Sequence, residues 1–204
     1  MTYLVKNILD YTDAEYSKMY LNAPESIRNK IDNKKMLINK KQTLLGYYLL
    51  RCLLREHYNI KDYPVIDFNE YGKPFLVDIM LYFNISHSDN AVVCVVSEDN
   101  IGIDIEKVVD RNHKIYDFVC NEEELKKINN SVDNSLEFTK LWTQKESYLK
   151  YLGKGLGSNL KDLLTSIDMK SFNTEVKIIG DETYVLSIYE SNKVNWIFQF
   201  SFFF

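Results

Sequence analysis

Two short stretches of the chain carry residue types and spacings that suit one another chemically. Gly102-Ile103-Asp104-Ile105-Glu106, with Ile101 before it, alternates isoleucine with small or acidic residues and so has the period of a strand. That period puts Asp104 and Glu106 on one face. Trp142-Thr143-Gln144-Lys145-Glu146-Ser147-Tyr148-Leu149-Lys150 has a helical stripe, and four-residue spacing stacks Glu146 one turn from Lys150. Two carboxylates from a strand and one from a helix form an all-oxygen set suited to Mg²⁺, with Mn²⁺ as a substitute. Such an ion usually keeps substrate phosphate oxygens among its ligands, and a neighbouring lysine suits a phosphate or proton-transfer role. The pattern suggests metal-assisted chemistry on a phosphate ester. Each pair alone also has a plainer reading. Alternating acids commonly line the wet face of an edge strand. A Glu–Lys pair at this spacing is worth only about 0.2–0.5 kcal/mol on an exposed helix.

Those stretches need a sheet and a helix to hold them, and the remaining pattern supplies both. A helix is expected over residues 13–22, started by Thr12-Asp13-Ala14-Glu15, and Pro24 opens a second short one. Residues 38–58 read as a long central helix, apolar nearly all round between Leu44 and Leu54. Gly46 inside it costs roughly 1 kcal/mol of helix propensity, which a close backbone approach would offset. Strands are expected at 63–68, 82–86, 91–97 and 101–106, with a turn over 69–74 and a short connection at 98–100. A helix should open at Cys120 or Asn121, where Asn121 and Glu124 form a capping pair. The helix with Glu146 should run over 136–152 and end at Gly153. Strands at 176–179, 184–189 and 196–203 finish the chain, and the aromatic ending 198–204 reads as a core strand. The order helix, helix, strands, then helix, helix, strands implies an α+β fold. Two similar halves, 1–100 and 101–204, would be joined near residues 100–105.

Composition narrows the function. The 204 residues are 46% hydrophobic with a formal net charge of −4, ample for a packed core. No apolar run reaches the roughly 20 residues that span a bilayer, and charged residues at Lys6, Asp10, Asp13 and Glu15 speak against a signal peptide. No membrane association is expected. Cys52, Cys94 and Cys120 lie far apart in apolar settings, which implies reduced thiols in a cytoplasm. The acidic balance and the lack of a nucleic-acid motif argue against nucleic acid as a partner. Arg28, Lys30, Lys34, Lys35, Lys40 and Lys41 form a local basic run against one acid, Asp32. Its default reading is a solvated helix face; its functional reading is a landing place for an anion or an acidic protein.

With those residues in hand, the sequence resembles the Sfp-type 4′-phosphopantetheinyl transferases. The likeness rests on four blocks in order: Tyr71-Gly72-Lys73-Pro74, Phe83-Asn84-Ile85-Ser86-His87-Ser88, Gly102 through Lys107, and Trp142 through Lys150 followed by Gly153-Lys154-Gly155. Together they span about residues 41–157. The resemblance implies transfer of the phosphopantetheine arm of coenzyme A to a serine of an acyl or peptidyl carrier protein, with release of adenosine 3′,5′-bisphosphate. Such loading serves fatty-acid, polyketide or nonribosomal-peptide synthesis. A full half precedes Asp104, so the long, monomeric version of the family is implied, pseudo-two-fold and with its active site in the cleft between halves.

The resemblance also assigns roles. Asp104, Glu106 and Glu146 match the metal-binding acids, and Lys150 the lysine beside the pyrophosphate. Ser86 and His87 match contacts to coenzyme A phosphates; Lys73 and Pro74 belong to that pocket. Glu146 is our choice of proton acceptor. Similar proteins carry an arginine before the Thr-Leu-Leu-Gly block where this chain has Gln42. Lys40 or Lys41 is expected to take over its grip on the 3′-phosphate. Rival readings are a metal-dependent phosphodiesterase acting on coenzyme A or a nucleotide, and a degenerate coenzyme A-binding module. His87 lacks a Gly-x-Ser-x-Gly elbow nearby, which speaks against a serine hydrolase. Gly153-Lys154-Gly155-Leu156-Gly157 lacks the spacing of a P-loop.

Overall fold

Side-chain caps set the first helix. In the computed structural model, which describes residues 1–6, 8, 11–155, 159–191 and 198–199, α1 covers Asp13–Asn22. Thr12 and Glu15 bond reciprocally at its start. Helix α2, Glu25–Asp32, follows Pro24, and α3 runs Leu37–Tyr58. Strands β1 (Thr2–Lys6), β4 (Tyr82–Ser88), β5 (Ala91–Ser97) and β9 (Phe198–Gln199) form one sheet in the order β4-β5-β1-β9. Between α3 and β4, β2 (Ile66–Phe68) and β3 (Pro74–Leu76) make a two-stranded hairpin. A second sheet has the order β6-β8-β7, with β6 at Ile101–Lys107, β7 at Phe172–Ile179 and β8 at Glu182–Glu190. Helices α4 (His113–Val119), α5 (Glu122–Asn129) and α6 (Asn134–Leu152) accompany it. The fold is α+β.

Strand β5 explains the layering. Its seven residues are all buried, because both faces are covered. Val92, Cys94 and Val96 pack with α3 in one core cluster, alongside Leu45, Leu49 and Leu53. Ala91, Val93 and Val95 belong to a second cluster with Ile101, Ile103 and Ile105 of β6 and Leu186 and Ile188 of β8. A third cluster joins α4, α5 and α6 through Tyr116, Val119, Ile128 and Phe138. At its edge Lys145, fully buried, donates to Val119 O at 2.8 Å, Leu160 O at 2.7 Å and Glu124 Oε2 at 2.7 Å. A buried ammonium needs this complete set of partners.

Several expectations need amendment. β1 and α4 are additional elements, and β3 emerges from the expected turn. The strand expected at 63–68 shortens to Ile66–Phe68. Gly46 does admit a close neighbour, but it is the Ile85 side chain, 2.7 Å from where a Cβ would sit, not a backbone. Of the strand expected at 196–203, only residues 198 and 199 fall within the described region. They pair in parallel with Thr2 and Tyr3, so the chain returns to the first sheet. The remainder of that strand lies outside the described residues. Cys52, Cys94 and Cys120 are buried free thiols. Among the described residues no helix is long and apolar enough to cross a membrane.

Candidate active site

Strands β4 and β6 are each the outer strand of their sheet, and they meet there. Side chains replace a backbone ladder between them. Asn84 Oδ1 accepts the Ile103 N–H at 3.0 Å, Ser86 Oγ the Ile105 N–H at 3.4 Å and Ser88 Oγ the Lys107 N–H at 3.2 Å. Both series advance by two residues, so one polar face of β4 satisfies the open edge of β6. The same serines reach the acids. Ser86 Oγ donates to Asp104 Oδ1 at 2.7 Å, and Ser88 Oγ to Glu106 Oε2 at 2.8 Å. Asp104 and Glu106 thus share a face, as their spacing predicts. That face is no wet edge: Asp104 is 3% exposed.

The third carboxylate arrives because α6 lies unusually close to β6. A Cβ on Gly102 would come 1.9 Å from Ser147 O and 2.5 Å from Tyr151 N. The helix backbone therefore rests on the strand backbone, and a glycine is required there. One step along the same strand face, Asp104 Oδ1 accepts from Lys150 Nζ at 2.6 Å, and Lys150 also donates to Ser86 Oγ at 2.8 Å. Glu146 lines a cavity of about 380 Å³ with Lys150, Lys73, Pro74, Tyr71 and Asn84. Its carboxyl is pushed up to about 7, by burial first and then by Asp104, with Lys150 opposing. Glu106 is raised too, by burial and then Asp104, against the pull of Ser88 and Arg111.

The other expected residues are placed as follows. Lys73 donates to Asn100 Oδ1 at 3.0 Å and to Tyr151 O at 3.1 Å, so it caps the carbonyl end of α6 at the cavity wall. Burial lowers its ammonium to about 8. His87 points away from the serines and is open to solvent. Partial desolvation lowers its imidazolium, and the ammonium groups of Lys150 and Lys34 add to this. Lys34, not Lys40 or Lys41, is thus the member of the basic run whose charge reaches His87. Lys41 turns to α1, 3.8 Å from Asp13 and 4.3 Å above the Tyr16 ring. Gln42 is buried and donates to Asp89 O at 2.8 Å, which ties α3 to the β4–β5 turn. Asn84, Ser88 and Gly102 stand in the quoted blocks without a role of their own, and Arg111 lies outside them. The period-two polar series of β4 was the available signal for the first two.

Whether these acids fit a divalent cation can be tested on charge and donor type. Asp104 Oδ2 is buried and accepts no hydrogen bond, an oxygen left for a cation. Asp104 and Glu106 both raise Glu146, a repulsion that positive charge would relieve. Among the described residues, however, no three His, Cys, Asp or Glu side chains converge as a ready-made metal cluster. Asp104 is held by Lys150 and Glu106 by Arg111 instead. The fit is one of oxygen donors and charge, with the chain's own cations in attendance.

The sequence pattern of the 4′-phosphopantetheinyl transferase superfamily matches residues 100–198, which include β6 and α6. The 4′-phosphopantetheinyl transferase gsp of Aneurinibacillus migulanus is 43% identical over 118 residues, 56% of this chain and 49% of that protein. Sfp of Bacillus subtilis strain 168 is 38% identical over 120 residues, 56% of this chain and 53% of Sfp. The psf-1 transferase of Bacillus pumilus is 30% identical over 161 residues, 77% of this chain and 65% of psf-1. The chain spans about half the length of the first two relatives.

Proposed function

The chain belongs to the 4′-phosphopantetheinyl transferase superfamily, and on that premise we propose that it moves the phosphopantetheine arm of coenzyme A onto a serine of a carrier protein. The observation that supports this most is the Glu146–Lys150 pair on the wall of the 380 Å³ cavity, with Lys150 held to Asp104 at 2.6 Å. A carboxylate and an ammonium on one wall are suited to accept a proton and to steady a developing negative charge. The names of the relatives suggest the substrates; the residues suggest the division of labour.

Coenzyme A would sit in the cavity against Tyr71, Lys73 and Pro74, with its diphosphate toward Lys150. The carrier serine's oxygen forms a bond to the β-phosphorus, the one bearing the pantetheine arm. The bond from that phosphorus to the bridging oxygen breaks, and its electron pair leaves with adenosine 3′,5′-bisphosphate. Glu146 takes the serine's proton. Lys150 stabilises the charge that develops on the departing phosphate. Asp104, Glu106 and Glu146 would hold Mg²⁺, which when bound offsets charge on the diphosphate oxygens. Ser86 and Ser88 orient Asp104 and Glu106, while His87 with Lys34, Lys40 or Lys41 would meet the 3′-phosphate. Three buried thiols suit a reducing compartment, and a cytoplasmic monomer is the state we propose.

Carrier loading tests the reading. Purified protein, coenzyme A, Mg²⁺ and an unmodified carrier should yield a carrier heavier by one phosphopantetheine group. Fatty-acid, polyketide and peptide-synthetase carriers should be compared side by side. Asp104→Ala should fold and lose transfer. Thorough chelation should stop turnover, and Mn²⁺ should restore it. Coenzyme A cleavage without any carrier would overturn the transferase reading in favour of a phosphodiesterase.

A further inference from the structure

Charge around Glu106 is arranged differently from charge around Asp104, and the difference carries an inference that rests on the metal reading above. Arg111, in the loop between β6 and α4, donates from Nη2 to Glu106 Oε2 at 3.3 Å. The two side chains are 25% and 24% exposed, so water screens them only partly. The Nε of Arg111 is buried and makes no hydrogen bond. Glu106 Oε2 also accepts from Ser88. This oxygen, on the face of β6 that carries the acids, is already claimed by a guanidinium and a hydroxyl.

We propose that Arg111 is a built-in counter-ion of the acidic cluster, which offsets the repulsion between Glu106 and Asp104 and competes with a divalent cation for Glu106. Lys150 does the same at Asp104, but Lys150 faces the cavity and the proposed reaction, whereas Arg111 does not line the cavity. Arg111 is therefore a positioning residue. It sets how tightly the cation binds, and it keeps the acids in place when no cation is there. Two effects oppose one another on its removal. Loss of a positive charge next to the site tightens cation binding. Loss of a hydrogen bond lets Glu106 wander, which weakens it. The charge effect should dominate, because Ser88 still holds the same oxygen at 2.8 Å.

Titration of the full chain with Mn²⁺, followed by electron paramagnetic resonance of the free ion, reads this without turnover. Arg111→Gln should bind Mn²⁺ roughly five-fold or more tightly than the native protein, as removal of a nearby unit charge at moderate dielectric implies. Arg111→Lys, which keeps the charge, should stay within about two-fold of native. Should Arg111→Gln fold poorly by circular dichroism, Arg111→Met is measured in its place. In a Glu106→Gln background the Arg111 substitution should no longer tighten binding, the non-additivity that contact between the two predicts. Unchanged or weaker Mn²⁺ binding by Arg111→Gln, with native protein binding normally, overturns this inference alone. Native protein that binds no Mn²⁺, with or without coenzyme A, overturns the metal reading and this inference with it.

Discussion

In the first half of the molecule the helix supplies the glycine and the strands supply side chains; in the second the strand supplies the glycine and the helix supplies backbone. Gly46 of α3 faces Ile85 and Val92, whereas Gly102 of β6 faces Ser147 O and Tyr151 N. The buried face of α3 is almost wholly apolar, with Gln42 its polar member. That of α6 buries Thr139, Thr143, Lys145 and Ser147. Thr143 Oγ1 and Ser187 Oγ lie 2.8 Å apart across the helix–sheet contact. An oily contact can slide and relax. A contact between backbones with paired polar groups has one register, and that register delivers Glu146 and Lys150 to Asp104. The first half is built to be stable, the second to be located.

The sharpest way to break this comparison is to add one methyl group to each half. Gly102→Ala should cost at least about 4 kcal/mol or abolish folding, since the clashing atoms are backbone. Gly46→Ala should lose less, about 1–2 kcal/mol. Ile85 Cγ2 sits close to its own backbone and must shift with it, and a gain of about 1 kcal/mol in helix propensity offsets only part of that. Urea unfolding of the two variants decides, and equal losses would end the distinction.

Next in size is the buried cation of the second half. Lys145→Met should lose about 3–5 kcal/mol, because Glu124 and two main-chain carbonyls are left without their donor. Little of that loss should appear as altered chemistry in surviving folded protein, since Lys145 does not line the cavity. A stable Lys145→Met variant would mean that α6 is anchored by its contact with the sheet and not by this cation.

The third effect depends on pH and has no counterpart on α3. Glu146 has a folded-state pKa of about 7, above the ordinary 4.5. A raised carboxyl penalises the folded state once the unfolded chain has ionised. In chelator-treated protein, stability should therefore fall as pH rises from 4.5 to about 7, then level off. Glu146→Gln removes the Glu146 share of this slope and leaves that of Glu106, which is raised too. Its advantage over the parent should be absent below pH 4.5 and reach on the order of 2 kcal/mol above pH 7. Parallel stability–pH curves for the two proteins would show that Glu146 is not strained by its surroundings.

How far the sequence revealed all this follows the same divide. Local signals were sufficient where a single segment fixes its own structure. Thr12 with Glu15 marked α1, the apolar run of β5 marked both its ends, and the Asn121–Glu124 pair marked α5. The shared face of Asp104 and Glu106 follows from strand period alone. The misses are residues whose role exists only between segments. β1 gains its identity from antiparallel pairing with β5. α4 is short, with only Tyr116 and Val119 buried, too few for a visible stripe. Spacing couples Lys150 to Glu146, yet its ammonium goes to Asp104, because the closeness at Gly102 decides which acid is nearest. The basic run was legible as a run, but not that Lys41 turns to Asp13 on α1.

The smallest effect tests the seam that joins β4 to β6. Asn84, Ser86 and Ser88 each accept one β6 amide, but they are not equally sheltered. Asn84 and Ile103 are buried, while Ser88 and Lys107 are partly open to water. A buried amide left without an acceptor costs its full desolvation, about 1–3 kcal/mol, whereas one that water can reach costs less. Asn84→Ala should therefore lose about 2 kcal/mol and Ser88→Ala less than about 1 kcal/mol, although both delete one bond to β6. Hydrogen exchange gives a second reading, residue by residue. The Ile103 amide should lose protection in Asn84→Ala while Lys107 keeps its own, and the reverse should hold for Ser88→Ala. If either substitution instead releases all three amides together, β4 and β6 separate as one cooperative unit. The two sheets would then be joined by the seam as a whole, and not by three independent bonds.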